Sequence, residues 1–278
     1  MPDKMDNKVS CEQYIINRGK LLGDWRSEPK LMKELAEKFI YIRVGGDKYR
    51  PVSVHFDNPC GSLKKRSGNQ SEIGGTKSLR AAFQSASAAA PANTKKPGNR
   101  KPEHVVQAGL IQHALLHDMQ LHGRINGFSE FFDELIFVTD ELKAGDIRAD
   151  IIALGGKDGK YFPVFIELKG IRSFNRVLEQ LRNAQQEMAK IKSSFVGMLV
   201  NGTGKAVETI AFEDYKLFVI WPEAPSGKGN ASATRAVAKK GFESVKGHLL
   251  IGEFPDMPKD RWNAWEAFNY VVKFGQPA

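Results

Sequence analysis

Residues 160–170 read KYFPVFIELKG, with Phe162, Val164, Phe165, Ile166 and Leu168 making one of the most apolar runs in the chain. That density predicts a strand inside a sheet. Upstream, EHVVQAGLIQHALLHDMQLH predicts a helix over 103–122, with Pro102 at its entrance. Two more strands are expected near 133–142 (DELIFVTDEL) and 147–154 (IRADIIAL), separated from each other and from the apolar run by the turns KAGD and GGKDGK. Residues 174–192 repeat apolar side chains at helical spacing through Phe174, Val177, Leu178, Leu181, Ala184 and Met188. Then come an expected strand at 195–200 (FVGMLV), a short helix near 204–212 and a strand at 216–221 (KLFVIW). A last amphipathic helix is expected near 259–273, packing through Trp262, Trp265, Phe268 and Val272. The order α-β-β-β-α-β-α-β implies an α/β fold with a mixed central sheet flanked by helices.

The chain before residue 102 is patterned differently. Helical spacing runs from Tyr14 and Ile15 through Leu21 and Leu22 to Leu31, Leu35 and Phe39, with a break near Pro29. FIYIRV and YRPVSVHF, split by GGDK, predict a hairpin. Residues 1–58 therefore form a small N-terminal α+β region, either a nucleic-acid reader or, the favoured reading, a cap on the main domain. Residues 59–101 form a linker, and 102–278 the main domain.

Charge separates these regions further. The chain carries a net +9, yet residues 59–101 hold nine Lys or Arg against one acid, Glu72, and so account for +8 of it. This Gly/Ser/Ala-rich stretch is too polar to build a core of its own. It is either a solubilising linker or a basic tether that grips a polyanion through Lys64, Lys65, Arg66, Lys95, Lys96, Arg100 and Lys101. Composition elsewhere is ordinary for a soluble protein, at 41% apolar and 26% charged. Two cysteines exclude a disulfide framework or a Cys-rich zinc site. The opening MPDKMDNKVSCEQ lacks an apolar leader, and no run nears the roughly 18 residues that span a bilayer. A cytoplasmic protein with no membrane partner is expected.

The apolar strand ends on Glu167 and Lys169, two residues apart and hence on one face. A charged pair there is costly unless it is paired or used. If the preceding strand forms a hairpin with it, Asp150 comes beside that face. Two carboxylates and an ammonium then gather at a sheet edge. Close carboxylates repel, and a hard divalent ion such as Mg²⁺ relieves the conflict. Lys169 would orient an attacking water and offset charge on a phosphorane.

Asp150, sixteen residues, then Glu167-Leu168-Lys169, on an α-β-β-β-α-β frame, resembles the signature of the PD-(D/E)xK nuclease superfamily. The resemblance covers roughly residues 102–221 and departs at Ala149, where the family name has proline. It implies a restriction-endonuclease-like αβββαβ core. It also implies Mg²⁺ (with Mn²⁺ as substitute) held by Asp150, Glu167 and the Leu168 backbone carbonyl. Glu103 matches the family's acidic residue on the helix before the sheet, as a further ligand, although a carboxylate is favoured at a helix N-terminus in any case. Gln180 matches a site-facing residue on the following helix, with Arg176 one turn earlier in reach of nucleic acid.

The expected activity is metal-dependent phosphodiester hydrolysis, foremost by a DNA endonuclease in restriction or defence against foreign DNA, acting on double-stranded DNA and possible as a homodimer. An RNA-cleaving toxin-like enzyme, and a non-catalytic nucleic-acid-binding module of the same fold, stay open as alternatives. Other signals carry less. His113, His117 and His122 lack the glutamate of a zincin motif. GMLVNGTGK has the wrong spacing for a phosphate loop. Asp133, Glu134, Asp140 and Glu141 are expected to be solvated, with Asp133 within possible approach of the metal.

Overall fold

Lys157-Asp158-Gly159-Lys160 sets the register of the sheet. Asp158 and Gly159 adopt φ of 50° and 75°, the left-handed pair that a two-residue hairpin turn requires. Strands β5 (Ala149–Lys157) and β6 (Lys160–Leu168) leave this turn antiparallel, paired from Lys157 opposite Lys160 to Ile151 opposite Ile166. The computed structural model describes residues 11–30, 33, 42–44, 48–51, 102–142, 149–172, 177–223, 246–255 and 272–275.

Around this hairpin stands a seven-stranded mixed sheet of order β3-β9-β8-β7-β6-β5-β4. β4 (Glu134–Leu142) is antiparallel to β5, with one extra residue between Phe137 and Thr139. β7 (Lys216–Pro222) runs parallel to β6, and β8 (Leu249–Phe254) parallel to β7. β9 (Val272–Gly275) is antiparallel to β8, and the short β3 (Ile125–Asn126) is parallel to β9. A separate hairpin, β1 (Ile42–Val44) with β2 (Lys48–Pro51), lies beside helix α2 (Pro102–Leu116). Strands β6 and β7 are central and buried through most of their length, which explains their near-continuous apolar sequences.

The expected strand at 195–200 is instead the middle of a helix. Helices α3 (Val177–Lys190) and α4 (Lys192–Thr203) follow β6 in succession. The inner side of α4 stacks Phe195 on Phe165 of the sheet, with ring centroids 5.7 Å apart. Its other side receives α1 (Cys11–Arg26) so closely that a Cβ on Gly19 would stand 3.0 Å from Met198 Cα. A helix covered on two sides loses its polar stripe, and its sequence then reads like a buried strand. The apolar side chains of α1, among them Ile15, Leu22 and Trp25, belong to the same core as the sheet.

Other expectations shift in smaller ways. Residues 204–212 contain the 3-10 turn Val207–Thr209 and lead into a second, Phe212–Asp214, in place of a short helix. β8 and β9 were not among the predicted strands. Val272, expected on a helical packing face, opens β9, while Trp262, Trp265 and Phe268 lie outside the described residues. The basic positions Lys64, Lys65, Arg66, Lys95, Lys96, Arg100 and Lys101, together with Arg176, also lie outside them. Among the described residues no helix is long and apolar enough to cross a membrane.

The histidines near the end of α2 pack and do not converge on a point. The His113 and His117 rings sit 4.2 Å apart, and Gly123 presses on His113. Burial, then the neighbouring His117, Arg124 and His122, lower the His113 pKa to about 4. The unfolded chain therefore binds a proton between pH 6.5 and about 4 that the folded chain refuses. Stability should be full above pH 6.5 and fall towards pH 4, by on the order of 2 kcal/mol after discounting for solvent screening. Denaturation curves of wild type and His113→Gln across this range provide the check, with a shallower decline expected for the variant.

Candidate active site

Asp150 and Glu167 each lie eight positions from the turn, one before Asp158 and the other after Gly159. Continuing the pairing one step beyond Ile151 and Ile166 sets them opposite one another, where side chains share a face. Directly opposed residues have Cβ atoms about 4.5–5.5 Å apart. The main chain fixes Asp150 in place, because its Oδ2 accepts the Leu168 N–H at 2.7 Å. Glu167 is 3% exposed. A carboxylate that deep needs compensation, and Lys169 Nζ supplies some of it at 2.6 Å from Oε1.

Lys169 is itself held from several directions. Its N–H donates to the Ile220 carbonyl of β7 at 2.8 Å, and its Nζ reaches Gln180 Oε1 on α3 at 3.4 Å. Glu103, in the first turn of α2, approaches the chain just past the end of β6. Its Oε2 lies 2.0 Å from where a Cβ on Gly170 would sit, so a side chain at that position would push the Glu103 carboxylate aside. At the end of β6 beside β7, Asp150 thus faces Glu167, Lys169 bridges Glu167 and Gln180, and Glu103 stands next to Gly170.

Two supporting residues were not anticipated from sequence. Gln107 is 1% exposed and donates from Nε2 to the Asp150 carbonyl at 3.0 Å. It follows Glu103 by one helical turn, so one face of α2 touches both sides of the site. That i, i+4 relation was visible in the sequence. Arg172 Nη1 donates to the Pro222 carbonyl at 2.9 Å and to Glu253 Oε1 at 2.5 Å. Its partners come from β7 and the unpredicted β8, so no local signal announced it.

Two acidic residues of β4, Asp140 and Glu134, depart from the expected solvated flank, while Asp133 is exposed as expected. Asp140 is buried at 2% exposure, because α1 covers that edge and sends Arg18 Nη2 to the Asp140 carbonyl at 3.1 Å. Asp133 accepts Lys157 Nζ at 2.9 Å and the Asp158 N–H at 2.8 Å. It therefore braces the turn, at the opposite end of β5 from Asp150, roughly 20 Å away at about 3.3 Å per residue. Glu134 accepts Lys205 Nζ at 2.8 Å and the Tyr161 hydroxyl. Burial alone would raise its pKa, but the Lys205 and Tyr161 hydrogen bonds outweigh that and hold it below the ordinary value. Lys205, from the GMLVNGTGK stretch, is engaged in this cluster. The side chain of Glu141 lies outside the described residues.

The donor set suits a hard divalent cation. Asp150, Glu167 and Glu103 offer carboxylate oxygens only, with no sulfur or imidazole among them. Among the described residues no group of three or more His, Cys, Asp or Glu side chains is placed to hold a metal ion. Mg²⁺ does not require one, since it characteristically binds one or two carboxylates and completes its shell with water and substrate phosphate. Set against protein-family models, curated proteins and solved structures, the chain matches none.

Proposed function

We propose that the chain is a metal-dependent nuclease of the PD-(D/E)xK type, hydrolysing phosphodiester bonds in DNA. The observation that carries this is the placement of Asp150 opposite Glu167, with Lys169 Nζ 2.6 Å from Glu167 at the end of the same strand. The element order adds support: helix α2, the antiparallel β4-β5-β6, helices α3 and α4, then β7 parallel to β6, an order compatible with a restriction-endonuclease-like core.

Asp150 and Glu167 would hold Mg²⁺ or Mn²⁺, with Glu103 and the Leu168 carbonyl as flanking oxygens. When bound, such a cation offsets phosphate charge and lowers the pKa of a water. The protein's own groups do the rest. The Leu168 N–H fixes the plane of Asp150, and Gln107 holds its backbone. Lys169, steadied by Glu167 and Gln180, orients the attacking water and counters charge building on the phosphorane. The Lys- and Arg-rich segment 59–101 would grip the DNA backbone, with Arg176 as a further contact. Restriction or defence is the setting the resemblance suggests, with a homodimer one way to cut both strands.

The test is a substrate panel of plasmid, single-stranded DNA and RNA, each incubated with the full chain in Mg²⁺ and in EDTA. Mg²⁺-dependent cleavage of the DNA substrates is expected. Cleavage of RNA alone would favour the toxin-like alternative. Binding without cleavage on every substrate would favour a non-catalytic binding module.

A further inference from the structure

Ile171 is 71% exposed, and among the described residues the only other exposed large apolar side chain is Val207, at 54%. A single exposed isoleucine is ordinary on a protein surface. This one is singled out by its position. It lies two residues past Lys169, between two anchored neighbours. On one side Lys169 is tied to the Ile220 carbonyl and Gly170 is wedged against Glu103. On the other, Arg172 bonds Pro222 and Glu253 and lays its guanidinium over Trp221, 5.1 Å from the ring centroid. The main chain at Ile171 is held at both ends, with its side chain turned to solvent at the mouth of the candidate site.

Lys169 and Ile171 are two residues apart, so their Cα atoms are separated by at most about 7 Å, and the bends at Gly170 and Ile171 shorten that reach. A phosphodiester placed at Lys169 would therefore bring the adjoining nucleotide within reach of Ile171. An aliphatic side chain can neither bond a phosphate nor read a base edge by hydrogen bonding. Its available contact is the apolar face of a base, including insertion at a partly unstacked step.

We infer that Ile171 is a wedge that packs against the base beside the scissile phosphate and favours substrates whose stacking is already weakened there. This rests on the nuclease reading and extends it to substrate selection. Val207 has no such role. It belongs to the turn leading to Ile210, which bridges Tyr161 at the far end of β6.

The experiment compares wild type, Ile171→Ala and Val207→Ala on an intact duplex and on one carrying a tandem mismatch at the mapped cleavage position. For Ile171→Ala, kcat/KM is expected to fall about 10- to 100-fold on the intact duplex, the worth of one aliphatic contact. On the mismatched duplex it should stay within about threefold of wild type, because the unstacking is already done. Val207→Ala should match wild type on both, and all three proteins should melt at the same temperature. Equal activity of Ile171→Ala and wild type on the intact duplex would overturn the wedge, as would an equal loss on both duplexes. Failure of wild type to cleave either duplex would refute its reading as a double-stranded-DNA nuclease and the wedge with it. That result is distinguishable because it involves no Ile171 variant.

Discussion

Replacing Lys169 with methionine is expected to abolish Mg²⁺-dependent hydrolysis, lowering kcat by about 10²- to 10⁴-fold. Methionine keeps most of the length and apolar stem of lysine, so the loss would be that of the ammonium group. DNA binding should survive, because the ammonium is one charge beside a segment carrying +8. Stability should fall too, since Lys169 Nζ contacts a Glu167 carboxylate that is 3% exposed. The lysine side chain is 28% exposed, so solvent screening limits that cost to about 1–3 kcal/mol. Millimolar Mg²⁺ should restore part of the stability without restoring activity, because binding only to the native state stabilises it. Single-turnover cleavage, together with melting in Mg²⁺ and in EDTA, separates the two effects. Undiminished cleavage by the variant would contradict the role given to this residue.

Phe195→Ala should carry the largest stability effect, about 3–5 kcal/mol. Phe195 is fully buried, stacks on Phe165 at 5.7 Å and meets Phe212 edge-on at 6.0 Å. Its removal would open a void between α4 and the sheet, on the face shared by Phe165 and Glu167. Chemical denaturation measures the loss. A cost below about 1 kcal/mol, typical of an exposed surface position, would contradict the placement of α4 against β6.

The two strands that form the site were the most legible part of the sequence. The apolar run of 160–168 announced β6, and alternation put Glu167 and Lys169 on one face. The register with Asp150 was also written in the sequence. Asp158-Gly159 fits a two-residue turn, and Asp150 and Glu167 sit at equal distances from it. Glu103 and Gln180 reached the site on helices whose spacing was plain. Less was legible where burial comes from distant chain. Helix α4 carries a strand-like sequence because α1, from the start of the sequence, covers the side that would otherwise be polar. Asp140 carries no local sign of burial because its cover, Arg18, lies 122 residues away. Arg172 gained its role from Glu253 on β8, a six-residue strand too short to be told from other apolar runs.

The opposition of Asp150 and Glu167 as a divalent-cation site is tested most directly by calorimetric titration of Mn²⁺ into wild type and Asp150→Asn. Asparagine retains a side-chain oxygen that can accept the Leu168 N–H, so the fold should stand while the ligand charge is lost. Wild type should bind Mn²⁺ with saturable heat, and Asp150→Asn should bind at least about tenfold more weakly. The absence of saturable heat from wild type at millimolar Mn²⁺, or equal affinities in the two proteins, would contradict the account.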